Sequence, residues 1–145
     1  MKAARRCISS AVVLIVLGCS HASGGPQGWT KANGTTWVNG SGAEQERYTM
    51  TSAAFNGSLK DLASQQTIDI VLKNAGTRFV QSVPFPNCPG QAGLATFRSP
   101  KAIVEDGFAL EGERAVTILY VRPSGAAESP EVLAAMNAAL CVPPA

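Results

Sequence analysis

Histidine is nearly missing from this chain: His21 is the only one in 145 residues, and it lies close to the N-terminus. A Ser-His-Asp or Cys-His catalytic group needs an imidazole beside its nucleophile, so no domain folded from the residues after it can assemble one. Zinc is short of ligands for the same reason. The standard phosphate-binding loops are missing too, since neither G-x-x-x-x-G-K-[ST] nor a strand-linked G-x-G-x-x-G occurs. No apolar run approaches the roughly 20 residues that cross a bilayer as a helix. Charged residues make up only 15% of the chain and form no basic cluster, so the electrostatic footprint of a nucleic-acid binder is lacking. Neither a cofactor nor a metal is expected, and nucleic acid is not an expected partner.

What is present begins with an export signal. Lys2, Arg5 and Arg6 precede an apolar stretch over residues 11–17, and small residues follow. Two cleavages compete. Val16-Leu17-Gly18-Cys19 resembles the bacterial lipobox, which would make residues 1–18 the signal peptide and Cys19 a lipid attachment point. Ser20-His21-Ala22 offers an ordinary signal peptidase a cut before Ser23. The expected organisation is a signal peptide over 1–18, a flexible tether over 19–28 ("CSHASGGPQG") and one domain over 29–145. Removing the leader also removes three of the twelve basic residues while all ten acidic ones stay, so nine bases face ten acids in the mature chain. The expected location is outside the cytoplasm, either anchored to a bacterial membrane and facing the periplasm or cell surface, or soluble in the periplasm or medium. Contact with a membrane is expected through the N-terminal lipid only.

The leader also resolves the cysteines. Cys7 leaves with it, and Cys19 is either lipidated or discarded. Cys88 in "PFPNCPGQ" and Cys141 in "AALCVPPA" then remain as a lone pair in an oxidising compartment, which predicts one structural disulfide between them.

Periodicity gives the elements. "TTWVNG" reads as a short strand closed by an Asn39-Gly40 turn, and the stretch from Glu46 alternates as a strand with one solvated face. Ser58 with Asp61 three residues later is a variant capping box, and Leu59, Leu62, Ala63, Gln66 and Ile70 fall at helical spacing, predicting a helix over 59–74. A strand over 77–83 precedes the proline-rich turn around Cys88. "AGLATFR", "KAIVEDGFAL" and "ERAVTILYVRP" follow with connections short enough only for antiparallel hairpins. Both faces of the last are apolar, which suits the centre of a sheet covered on two sides. "SPEVLAAMNAALC" is a second helix, with Ser129 as N-cap, Pro130 at its first position and Val132, Leu133, Met136 and Leu140 along an apolar stripe. The fold class is therefore α+β: a mainly antiparallel sheet of five to six strands, one helix after the second strand and one at the C-terminus, stapled by the disulfide.

This order, in "GWTKANGTTW", "ERYTMTS", "SLKDLASQQTIDIVLKN", the meander from "GLATF" to "ILYVRP" and the closing "VLAAMNAAL", resembles the superfamily that unites photosystem accessory proteins of the PsbP type, the Mog family of Ran-binding proteins and bacterial LpqN-like lipoproteins. The resemblance implies an exported, mostly non-catalytic accessory or binding domain. It carries no site residues over, because the group shares no active-site motif.

Two features remain as candidates. Glu105 and Asp106 are adjacent on a strand, so their side chains point to opposite faces and cannot converge as an acid/base pair; Gly107 beside them suggests a bulge that turns both to water, rather than a buried functional Asp106. Trp29 and Trp37 flank the end of the tether, either as ligand-facing aromatics or as core anchors. The functional expectation is a non-enzymatic accessory or binding domain of the cell envelope, whose partner is an envelope protein or a small ligand. The alternatives are a small envelope enzyme working through Ser and Lys or through carboxylates, and a soluble structural protein.

Overall fold

The strand with two apolar faces does take the middle of the sheet. A computed structural model describes residues 24–141; the expected signal peptide over 1–18, Cys7, Cys19 and the rest of the chain up to residue 23 lie outside the described residues, as do the last four. Among the described residues seven strands form one antiparallel sheet in the order β1-β2-β3-β7-β6-β5-β4. They are β1 (Thr30–Lys31), β2 (Thr36–Asn39), β3 (Glu46–Ala54), β4 (Arg78–Pro84), β5 (Ala92–Arg98), β6 (Ala102–Glu111) and β7 (Arg114–Pro123), with α1 (Leu59–Lys73) after β3 and α2 (Pro130–Leu140) at the end. The extra strand relative to the expected five to six is β1, two residues paired to Val38 and Trp37. A segment that short carries no periodicity to read.

Helices cover the two faces of the sheet. On one, Leu62 and Ile70 of α1 bury against Ala95, Phe97, Val104, Phe108 and Ala115. The helix starts where its capping box requires: the Asp61 amide donates to the Ser58 hydroxyl at 3.1 Å, and the Ser58 amide donates back to the Asp61 carboxylate at 2.8 Å. Those bonds hold the Asp61 carboxyl below its ordinary range, with the Ser58 amide as the larger cause. On the other face, Val132, Met136 and Leu140 of α2 bury against Tyr48, Ile118, Tyr120 and Ala109. Leu133, expected on the same stripe, is instead exposed; it falls one residue, about 100° of helix, away from the buried line.

The disulfide is present. Cys88 and Cys141 have their Cα atoms 5.6 Å apart, across a separation of 53 residues. It ties the end of α2 to the turn between β4 and β5, where Asn87 Nδ2 also donates to Asn137 Oδ1 at 2.9 Å.

The expected bulge at Glu105–Asp106 does not form. β6 runs in unbroken register with β5 and with β7 through this region. The two side chains do point to opposite faces, but β6 lies beside the central strand and a helix covers each face, so both are buried. Gly107 serves close approach instead: a Cβ there would sit 2.7 Å from Leu140 Cδ1, so its lack of a side chain lets α2 settle onto the sheet.

Candidate functional site

The two tryptophans come together, on the α2 face at the β2 side of the sheet. Trp37 on β2 is cross-strand from Tyr48 on β3, and their rings meet edge to face at 5.8 Å. Trp29, just before β1, meets Tyr120 of β7 edge to face at 6.1 Å. Trp37 is the core anchor, nearly closed from solvent, whereas Trp29 keeps part of its surface open. Between them and α2 runs a groove of about 710 Å³, floored by Trp29, Trp37 and Pro26 and walled by Ala134, Ala135 and Ala138. The alanines matter by their size. Larger side chains at these helical positions would fill the space above the indoles.

Residues 24–28, read from the sequence as the end of the tether, lie against the domain. Pro26 is buried, and the backbone at Gly25 rests directly on the Trp37 indole, where a Cβ would come within 2.3 Å of the ring. Lys31 sends its ammonium over the ring, 5.2 Å from the centroid. On the other side of this segment a second hollow, of about 530 Å³, is lined by Gly24, Met50 and Val116 and shares Ala135 and Ala138 with the first. The N-terminal segment thus crosses a longer furrow alongside α2.

A polar network surrounds Tyr120, the ring that Trp29 meets. The Tyr120 hydroxyl donates to Glu46 and accepts from the Ser129 amide at 3.2 Å, which fixes the start of α2. Arg122 pairs with Glu105, donates to the Ala126 carbonyl at 3.2 Å and lies over the Tyr120 ring. Burial, reinforced by the bond to Glu46, pushes the Tyr120 hydroxyl above its ordinary range, and burial with the nearby Glu105 charge raises the Glu128 carboxyl. Both nearly buried ions here, Glu105 and Arg122, have each other, so the network positions α2 without leaving an orphaned charge.

Asp106 lies away from the groove, under α1. Among the described residues its only side-chain partner is Gln66, whose amide donates to Oδ1 at 3.4 Å, and its Oδ2 is buried with no partner among them. Burial raises its carboxyl to about 7. A perturbed carboxylate in a cleft is a frequent sign of acid/base chemistry. This one is sealed between a helix and a sheet, with no surface open to a substrate.

Of the sequence candidates, Trp29, Trp37, Cys88 and Cys141 all fall on the α2 face. The groove's remaining walls, Pro26 and the α2 alanines, carry no sequence signal of their own beyond a helix rich in small residues. Fold and site together define an α+β domain with a seven-stranded antiparallel sheet between two helices and an aromatic-floored groove along the second. No protein family, curated protein or solved structure matches the chain in comparison.

Proposed function

We propose that the chain is an exported, lipid-anchored, non-enzymatic domain of a bacterial cell envelope, held at Cys19, that binds its partner or ligand in the groove floored by Trp29 and Trp37. The observation that carries this reading is the groove itself: about 710 Å³ of aromatic and small-residue surface beside a rigid sheet, with a few polar groups at the rim. Its geometry offers stacking area at low conformational cost, as recognition surfaces do. The lack of any histidine after residue 21 supports a binding role over hydrolytic chemistry. The export signal, the lipobox-like Leu17-Gly18-Cys19 and the resemblance to LpqN-like lipoproteins support the compartment.

A photocrosslinking residue in place of Trp29, in the full chain expressed in cells, should give a discrete adduct. Ala138→Trp, at an exposed α2 position on the groove wall, should fill the groove and abolish that adduct while thermal unfolding stays within a few degrees. An adduct unchanged by Ala138→Trp, or none at all, would reject the groove as the binding site.

A further inference from the structure

Three arginines from separate parts of the sequence meet on the α2 face of the sheet. The register pairs Arg78 of β4 with Arg98 of β5, Arg98 with Ile103 of β6, and Ile103 with Arg122 of β7, so the four side chains stand in one row across four strands. Arg122 lies over the Tyr120 ring, and Phe97, next to Arg98, packs under α1, which places the row on the α2 side. α2 itself lies over β6 and β7. The β4 and β5 end of the row is left open, with Arg78 and Arg98 both exposed.

The two ends of the row differ in how their charge is met. Arg122 is paired with Glu105, two residues along β6 from Ile103 on the same face, and Glu128 sits by that pair. Arg114, elsewhere on β7, donates to the Ser52 hydroxyl at 3.1 Å and the Ser52 carbonyl at 3.2 Å. For Arg78 and Arg98 the charge is not answered: among the described residues no carboxylate pairs with either. Like charges directly opposite on neighbouring strands repel and cost stability unless something anionic lies between. A notch of about 270 Å³ opens at this pair, lined by both arginines with Gly76, Ser99 and Pro100. It lies toward the opposite edge of the sheet from the tryptophan groove.

We propose that Arg78 and Arg98 together clamp one phosphate group carrying two negative charges, inorganic phosphate or a phosphomonoester, in this notch. A carboxylate has one charge and two oxygens, which the fork of a single guanidinium already satisfies. A phosphomonoester brings up to two charges and three acceptor oxygens at neutral pH, enough for two forks that approach from adjacent strands. Such strands lie about 4.8 Å apart, which puts both guanidiniums within reach of one tetrahedral group. The lining has no aromatic ring on which a base could stack and only two cations, which fits an isolated phosphate and not a nucleic-acid strand. The site stands apart from the tryptophan groove and does not depend on what that groove binds.

The isotope-labelled full chain is titrated with sodium phosphate at about pH 7.5, where the second phosphate proton is off, against sodium chloride of equal ionic strength. Saturable nuclear magnetic resonance shifts are expected at the amides of Gly76, Arg78, Arg98 and Ser99, with a rise in thermal midpoint that chloride does not give. Arg78→Gln and Arg98→Gln should each weaken phosphate binding by about tenfold. Both positions are exposed, and without phosphate each variant should unfold at the same temperature as the parent or higher, because the like-charge contact is gone. Lys101→Gln removes a charge next to Pro100 in the chain but outside the notch lining, and should change binding by less than about twofold. A soluble short-chain phosphatidic acid, kept below its micelle concentration, identifies the source of the phosphate: binding tighter than that of inorganic phosphate assigns a lipid headgroup, and binding no tighter assigns the free anion. Shifts that merely follow ionic strength, acetate that binds as well as phosphate, or a loss on Lys101→Gln equal to that on Arg98→Gln would overturn the proposal.

Discussion

Replacing Cys88 and Cys141 together by serine should lower the stability of the folded domain by about 4 kcal/mol. That is the entropy a cross-link across a separation of 53 residues removes from the unfolded chain. It is a large share of the 5–15 kcal/mol expected of a domain of this size, and the thermal midpoint should fall on the order of 15 °C. The loss should be local first. Cys141 is the residue on which α2 ends, and the bridge fastens that end to the turn at Cys88, so α2 should fray ahead of the sheet. Amide exchange gives that order: in the double variant the amides of Met136 to Leu140 should exchange far faster than those of β6 and β7. An unchanged midpoint with unchanged protection of α2 would show that the bridge constrains nothing.

The second large effect belongs to Asp106. Its carboxyl is raised by burial from the ordinary carboxylate value to about 7, with the Gln66 amide opposing only in part. The folded state therefore holds this proton across the interval in which the unfolded chain releases it. Between roughly pH 4 and pH 7 the folded state binds more protons than the unfolded one, so this group's contribution to stability falls as pH rises. Above about 7 the carboxylate is ionised in both states and the loss is complete, at about 4 kcal/mol. Asp106→Asn keeps the shape and an amide to meet Gln66 but cannot ionise. Urea unfolding of the two proteins should give similar stabilities at pH 4, a gap in favour of Asp106→Asn that widens to pH 7, and a constant gap beyond. A gap independent of pH would mean that Asp106 is ionised throughout.

Most of the architecture was legible because it rests on short-range chemistry. Ser58 and Asp61 announce the start of α1 by a hydrogen-bond exchange that spans only three residues. The two apolar faces of β7 announce a central strand, because only a strand covered twice can afford them. The disulfide was expected because the sequence reading sets Cys7 and Cys19 aside and leaves Cys88 and Cys141 as a pair. What was not legible depends on elements far apart in sequence. "EDG" has the composition of a turn, and Glu105 and Asp106 are buried only because α1, from the middle of the chain, and α2, from its C-terminal part, cover the two faces of β6. Likewise "GGPQG" has the composition of a loose linker, yet Gly25 and Pro26 seat against Trp37, twelve residues on from Gly25. Trp29 and Trp37 stood out as aromatics in a chain with few. The alanines that open the groove above them did not, since a small residue leaves space only where a neighbour fails to fill it.

Compartment and anchorage bear on every functional statement above, and the intact mass of the protein isolated from cell membranes tests them together. The account predicts a chain that begins at Cys19, carries diacylglycerol and acyl groups on that residue, and is two hydrogens lighter before reduction than after it because Cys88 and Cys141 are joined. A chain that begins at Met1 with free thiols would contradict export, and a lipid-free chain that begins at Ser23 would contradict the anchor.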